Sequence, residues 1–402
     1  MSKKKDVFSS LFYVILFLIF LKFTFSYLNV ELGWWLRHLT PNIDKYNFLG
    51  LPPDFQEYVE FLLIPAMVFY LFSNLSKLGA MLFPFILTFV MYFLNVGTAI
   101  YNDISVIDSL TFSLKICSPV YFLMVILVEH KRKQFDIETV LFRFIYYLLF
   151  LSVIALLVFD VSYNRDSERW PVYFSGLHTH NYVMVCLFIG IAMRIRDRYY
   201  ALYAFMFFTF VFLILGYNVR TALLFYLVFI LVMLYKTNSF FKYAYAKAII
   251  YLPFLLVFAI AILSTVDLDS LSSGRITMYL TKLDILKDYS FTDYLFGRGK
   301  GSDMVRTSEW WWEKKGSHND FLTYIVENGI PFTILFATLI TSLLTISRKI
   351  SVFNIALIIG YFITSLFSNG FATRPLAADI FFLVYAYIYI NKSSTQPRWE
   401  GK

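Results

Sequence analysis

Apolar runs long enough to cross a bilayer recur along this chain, and their repetition limits the fold more than any motif does. A spanning helix needs about 20 mostly apolar residues, because each residue rises only about 1.5 Å through a hydrocarbon core about 30 Å thick. Twelve runs approach that length: 8–29, 56–73, 79–100, 107–128, 138–159, 180–195, 199–216, 219–235, 247–264, 321–346, 352–368 and 376–391. Backbone polar groups must pair internally in lipid, which leaves helices as the element for runs this long. The prediction is an all-α polytopic membrane protein with about twelve transmembrane helices. Composition agrees, with 59% hydrophobic and only 15% charged residues. The first run follows Lys3-Lys4-Lys5 without a small-residue cleavage site and reads as a retained span.

Alternate numbering of the loops gives an orientation. Lys3–Lys5, Lys77, Lys131–Lys133, Arg194, Arg196, Arg198, Lys236, Lys242, Lys247, Arg348, Lys349, Lys392, Arg398 and Lys402 fall on one side, 18 positives in all. Short loops on the other side hold 6: Arg37, Lys45, Arg165, Arg169, Arg220 and Arg374. The positive-inside rule predicts both termini in the cytoplasm. The long hydrophilic stretch Asp267–Asp320 then faces outward. Its eight Lys and Arg do not count, because long loops cross largely regardless of charge. Three regions follow: 1–264 with spans one to nine, 265–320 as an outward loop carrying short helices, and 321–402 with spans ten to twelve and a cytoplasmic tail.

That outward island is the main candidate for chemistry, since irregular backbone outside lipid is where such chains place reactive groups. ATP is absent on that side, which argues against a nucleotide-driven reaction. Phe296-Gly297-Arg298-Gly299-Lys300-Gly301-Ser302 lacks P-loop spacing and reads most simply as a flexible turn, with Arg298 left as a candidate anion ligand. The net charge of +8 is spread over many loops and forms no nucleic-acid patch. Cys117 and Cys186 lie in apolar runs, which suits neither a disulfide nor a metal site, and no cofactor is expected.

Three outer-face residues stand out. Arg220 begins a span; Arg275 precedes an amphipathic stretch with Ile276, Tyr279, Leu280 and Leu283 at helical spacing; His318-Asn319 precedes the tenth run. Each also has a plain structural reading. Arg220 suits an interfacial anchor, and His318 suits a polar residue at a helix start capped by Asn319 or Asp320. Their shared side favours function. Asn181, in Gly176-Leu177-His178-Thr179-His180-Asn181, is a further outer-junction candidate; His178 and His180 lack further metal partners. Trp310-Trp311-Trp312 suits either sugar stacking, with Trp311 the candidate, or an interfacial belt, and Trp34-Trp35 carries the same ambiguity. Lys22 and Lys115 lie within spans, where charge usually faces a cavity or a partner, whereas Arg143 can snorkel.

Arg220 with Leu224, Ser273-Gly274-Arg275, Phe296-Gly297-Arg298-Gly299, and His318-Asn319 with Gly329 ten residues on resemble the O-antigen polymerase and ligase superfamily of integral-membrane glycosyltransferases. The likeness runs from Leu215 to Phe336, and the twelve-span layout extends it. Pro331-Phe332, where ligases tend to have a second small residue, leans towards a polymerase. The resemblance implies a GT-C-like fold and an undecaprenyl-diphosphate-linked oligosaccharide as substrate at the outer face of a bacterial inner membrane. It also implies metal-independent, inverting transfer in lipopolysaccharide biosynthesis, and a chain-length regulator protein as partner. His318, Arg220 and Arg275 are then the expected catalytic residues, with Arg298, Asn319, Asn181, Lys115 and Trp311 expected to bind substrate. A ligase acting on lipid A-core, and a polysaccharide flippase, are the alternatives.

Overall fold

A computed structural model describes residues 7–28, 58–133, 135–158, 178–217, 219–238, 241–243, 274–308, 310–311, 314–346 and 350–392. The ninth run (247–264), the start of the outward loop, Trp34-Trp35, Trp312 and the C-terminal tail lie outside the described residues. Within them the chain is helical, without strands, apart from one isolated bridge between Val305 and Lys315. Five helical stretches have the length and apolar composition to cross a membrane: Ser10–Leu28, Leu75–Tyr101, Val106–Lys133, Ile137–Ile154 and Arg220–Thr237. Glu60–Ser73, Tyr199–Leu215, Ile330–Thr345, Val352–Phe367 and Pro375–Asn391 are shorter apolar helices.

The helices are α1 (Val7–Leu28), α2 (Glu60–Ser73), α3 (Leu82–Tyr101), α4 (Val106–Lys133), α5 (Ile137–Val158), α6 (His178–Arg194), α7 (Tyr199–Phe212) and α8 (Arg220–Thr237). After the undescribed stretch come α9 (Arg275–Lys287), α10 (Phe291–Phe296), α11 (Asp320–Asn328), α12 (Ile330–Ser342), α13 (Val352–Phe367) and α14 (Pro375–Lys392). The centre is α4 against α14. From Ile116 to Glu129 every residue of α4 is buried, and Leu376 to Ile388 of α14 is buried likewise. Helices apolar all round belong in the middle of a bundle or in lipid. Around this pair pack α3, α2 and α6, while α8 lies along α13.

Charge inside the bundle is paired, as burial requires. Lys22 of α1 forms an ion pair with Glu60 at the head of α2, and lies 2.8 Å from Asp379 Oδ2 of α14. Ser118 of α4 donates to Glu60 at 2.5 Å. The expectation that Lys22 faces a partner is met by two carboxylates.

The two ends of the bundle differ. At one end lie the basic residues: Arg132 on Glu129 (2.8 Å), Arg194 on Glu138 (3.1 Å) and Lys131 donating to the Lys77 carbonyl (3.3 Å). At the other end the 274–320 segment seals the turn between α3 and α4. Thr98 donates to the Phe296 carbonyl at 2.8 Å, and Asn102 donates to the Gly297 carbonyl at 3.2 Å.

Two sequence expectations change. The apolar run 321–346 is not one helix: it breaks at Gly329 (φ 85°), followed by Pro331 in the first turn of α12. A Cβ at Gly329 would sit 2.5 Å from the Leu295 carbonyl oxygen, so the chain turns there with room for hydrogen alone. The nine residues of α11 include buried Asp320, Glu327 and Asn328, and they pack on α9 and α10. In α9 the expected apolar stripe divides. Met278 and Lys282 turn inward, Ile276 and Tyr279 are half-buried, and Leu280 and Leu283 are exposed.

Candidate functional site

The starts of α6, α8, α9, α11 and α14 meet at the end of the bundle opposite the basic one. The contacts are specific. Tyr182, in the second turn of α6, and Thr221, in the first turn of α8, share a hydrogen bond of 2.8 Å between hydroxyls. Arg374, just before α14, donates to Thr179 of α6 at 3.3 Å and to the Asn369 carbonyl at 2.7 Å; its guanidinium lies 5.7 Å from the Tyr182 ring. The Gly370 amide donates to Asp320 Oδ2 at 3.0 Å, which ties the start of α11 to the same turn. Arg275, the first residue of α9, donates to the Phe367 carbonyl at 2.5 Å, at the end of α13. Helix starts present unpaired amides and the positive end of the helix dipole, so together with guanidiniums they form an anion-attracting face.

His318 sits within this electropositive group. Burial, reinforced by positive charge on Arg275, Lys315 and Arg374, lowers its imidazole from the usual 6.5 to about 4; Asp303 opposes the shift. The ring is therefore neutral at ordinary pH, the form that accepts a proton. Asp320, two residues on, is fully buried, and its carboxyl is pushed up to about 7 by that burial, against the Gly370 hydrogen bond and the nearby Arg374 charge.

Of the residues expected from sequence, Arg275 and His318 share this neighbourhood. Arg220 heads α8, exposed, beside the Thr221 that reaches Tyr182. Asn319 is a helix cap: its side-chain oxygen accepts the Leu322 amide at 3.0 Å. Asn181 is buried in α6 next to Tyr182, and His180 packs inward, edge-on to Tyr27 at 4.4 Å and 3.4 Å from Ser26 Oγ. Lys115 is half-buried on α4. Trp311 is 70% exposed on the hairpin closed by the Val305–Lys315 bridge.

Arg298 is used inside the loop. It donates to the Asp288 carbonyl (2.9 Å), pairs with Asp293 (3.3 Å) and lies 4.2 Å over the Tyr289 ring. The glycine-rich segment around it holds protein groups. The amides of Arg298 and Gly299 donate to the Val326 and Glu327 carbonyls (2.9 and 3.0 Å). Those of Gly301 and Asp303 donate to Glu327 Oε1 (2.7 and 3.2 Å). The segment thus closes the end of α11 around an internal carboxylate.

Sequence reading missed Arg374, Asp303 and Asp320. Arg374 entered only as a loop positive, and its one signal was an arginine directly before the proline that opens the last span. No protein-family model matches the chain, and neither do curated proteins or solved structures.

Proposed function

We propose that this chain is a multi-pass membrane glycosyltransferase that joins undecaprenyl-diphosphate-linked repeat units, an O-antigen-type polymerase working at the outer face of a bacterial inner membrane with both termini in the cytoplasm. The observation that carries the reading is the place of His318, within the fields of Arg275, Arg374 and Lys315 where several helix starts meet. Such a face suits a diphosphate, and guanidinium binds phosphate oxygens in bidentate fashion.

The chemistry follows from those groups. Arg275 and Arg374, with Arg220 at the head of α8, hold the lipid diphosphate and stabilise its charge as it leaves. His318 takes the proton from an acceptor sugar hydroxyl while that oxygen bonds to the anomeric carbon from the opposite side. The glycosyl–oxygen bond breaks with its electron pair going to the diphosphate, and the configuration inverts. The bound dianion also offsets the arginine charges, so the imidazole becomes a stronger base when substrate is present. The energy comes from the sugar-diphosphate bond, and a chain-length regulator is the expected protein partner.

Purified protein with lipid-linked repeat unit tests this: His318→Gln should lose chain growth by about 10²–10⁴-fold. Wild-type growth in that variant would return His318 to a helix-start role. One observation favours transport instead, the buried Lys22–Glu60–Asp379 network, since intramembrane charge often marks a substrate path. Flipping of a lipid-linked glycan in proteoliposomes without chain growth would select that reading.

A further inference from the structure

Asp303 holds the backbone that leads into His318. Its carboxylate is buried, and Oδ2 accepts three hydrogen bonds: from the Ser317 amide at 2.8 Å, the Ser317 hydroxyl at 3.1 Å and the Thr323 hydroxyl of α11 at 2.9 Å. The other oxygen lies 3.1 Å from Nζ of Lys282, itself fully buried on α9. One carboxylate thus joins α9, Ser317 and α11, immediately before His318.

His318 has φ of 50°, in the left-handed region that non-glycine residues enter rarely and at a cost. Such a conformation persists where its surroundings over-determine it, and strained residues gather at functional sites. Here the flanks are fixed on both sides. Ser317 is tied to Asp303, and Asn319 caps α11. The charged groups whose fields reach the imidazole are Arg275 from α9, Lys315 beside the isolated bridge, Arg374 from the turn before α14, and Asp303. Asp303 is the one acid among these four.

We propose that Asp303 is a positioning residue for His318, fixing the strained backbone that aims the imidazole and supplying the negative charge that favours the imidazolium formed when the acceptor's proton arrives. The proton stays on the imidazole. This rests on the reading of His318 as the base, and it extends the logic by which a third group orients a catalytic histidine.

Two readouts on the purified full-length protein test it. One is the pH dependence of His318 carbethoxylation, followed by peptide mass spectrometry, which requires no catalysis. The other is the kcat and KM of chain growth. Asp303→Asn should move the His318 midpoint to lower pH and reduce kcat by about tenfold or more, with KM changed far less. If Asp303→Asn fails to fold because Lys282 is left as an unpaired buried charge, the double variant Asp303→Asn with Lys282→Met carries the same test. Ser317→Ala, which keeps the acid but loosens the backbone, should lower kcat and leave the midpoint in place. An unchanged midpoint in both Asp303 variants, or wild-type kcat in Ser317→Ala, overturns the proposal. If the wild type shows no chain growth while Asp303→Asn still shifts the midpoint, the glycosyl-transfer reading fails and the Asp303–His318 coupling stands.

Discussion

Burial, with a surrounding field of positive charge, sets how the His318 imidazole responds to pH. Its folded value, about 4, lies below the usual 6.5, so the native ring stays neutral while the unfolded one gains a proton near 6.5. The native state therefore loses stability as pH falls from about 6.5 to about 4, by an amount on the order of 3 kcal/mol before solvent screening is discounted. Asp320, raised to about 7, acts oppositely over the same range, because its native carboxyl takes up a proton first. The difference between wild type and His318→Gln isolates the histidine: the variant should lose less thermal stability between pH 6.5 and 4.5, as read by melting curves. Arg275→Lys and Arg374→Lys test the anion face. Each keeps the charge and loses the planar fork, so chain growth should fall at least about tenfold in both, while expression stays near wild type. His318 and Arg275 stand out in the sequence because they lie in the one long polar stretch. Arg374 does not, since only the fold-back of the α13–α14 turn carries it across to Thr179.

At the scale of elements, the glycine-rich segment and α11 form one unit. A Cβ on Gly297, whose φ is 67°, would lie 2.2 Å from the Glu327 carbonyl carbon. Gly297→Ala should therefore cost more than the usual glycine replacement, about 2 kcal/mol or more, measured as a lowered melting temperature. Glu327 offers a sharper contrast, because one oxygen accepts the amides of both Gly301 and Asp303. Glu327→Gln keeps an acceptor for both and should be tolerated. Glu327→Ala strands the buried Asp303 amide and should cost about 1–3 kcal/mol. The helices themselves were readable from hydrophobic period and length. What stayed hidden was that α11 is a separate helix, because Phe321–Ile346 is apolar enough to read as one span. The polar Glu327-Asn328 pair and Gly329-Ile330-Pro331 were the local signs of the break.

Over the whole molecule, the described residues of the 274–320 segment lie at one end and the Lys77, Lys131, Arg132 and Arg194 group at the other. Met304→Cys, exposed beside the hairpin, and Asp197→Cys, exposed at the basic end, convert this into a membrane orientation. The native Cys117 and Cys186 are buried and should stay silent. An impermeant thiol reagent should label position 304 in intact spheroplasts and position 197 only after lysis, and the reverse pattern would invert the topology. Lys22 belongs to this scale too, since its ion pairs join α1, α2 and α14. Lys22→Met would leave Glu60 and Asp379 facing each other uncompensated, and should destabilise the bundle by about 3–5 kcal/mol.

The central claim is that the arginine and histidine cluster transfers glycan from a lipid diphosphate, and product length is its most direct measure. Purified protein in lipid nanodiscs, given undecaprenyl-diphosphate-linked repeat unit and no nucleotide, should yield a ladder of longer lipid-linked glycans with release of undecaprenyl diphosphate. His318→Gln should leave the starting unit unchanged. A folded wild-type protein that binds the substrate yet never lengthens it, or a His318→Gln protein that makes the same ladder, contradicts the account.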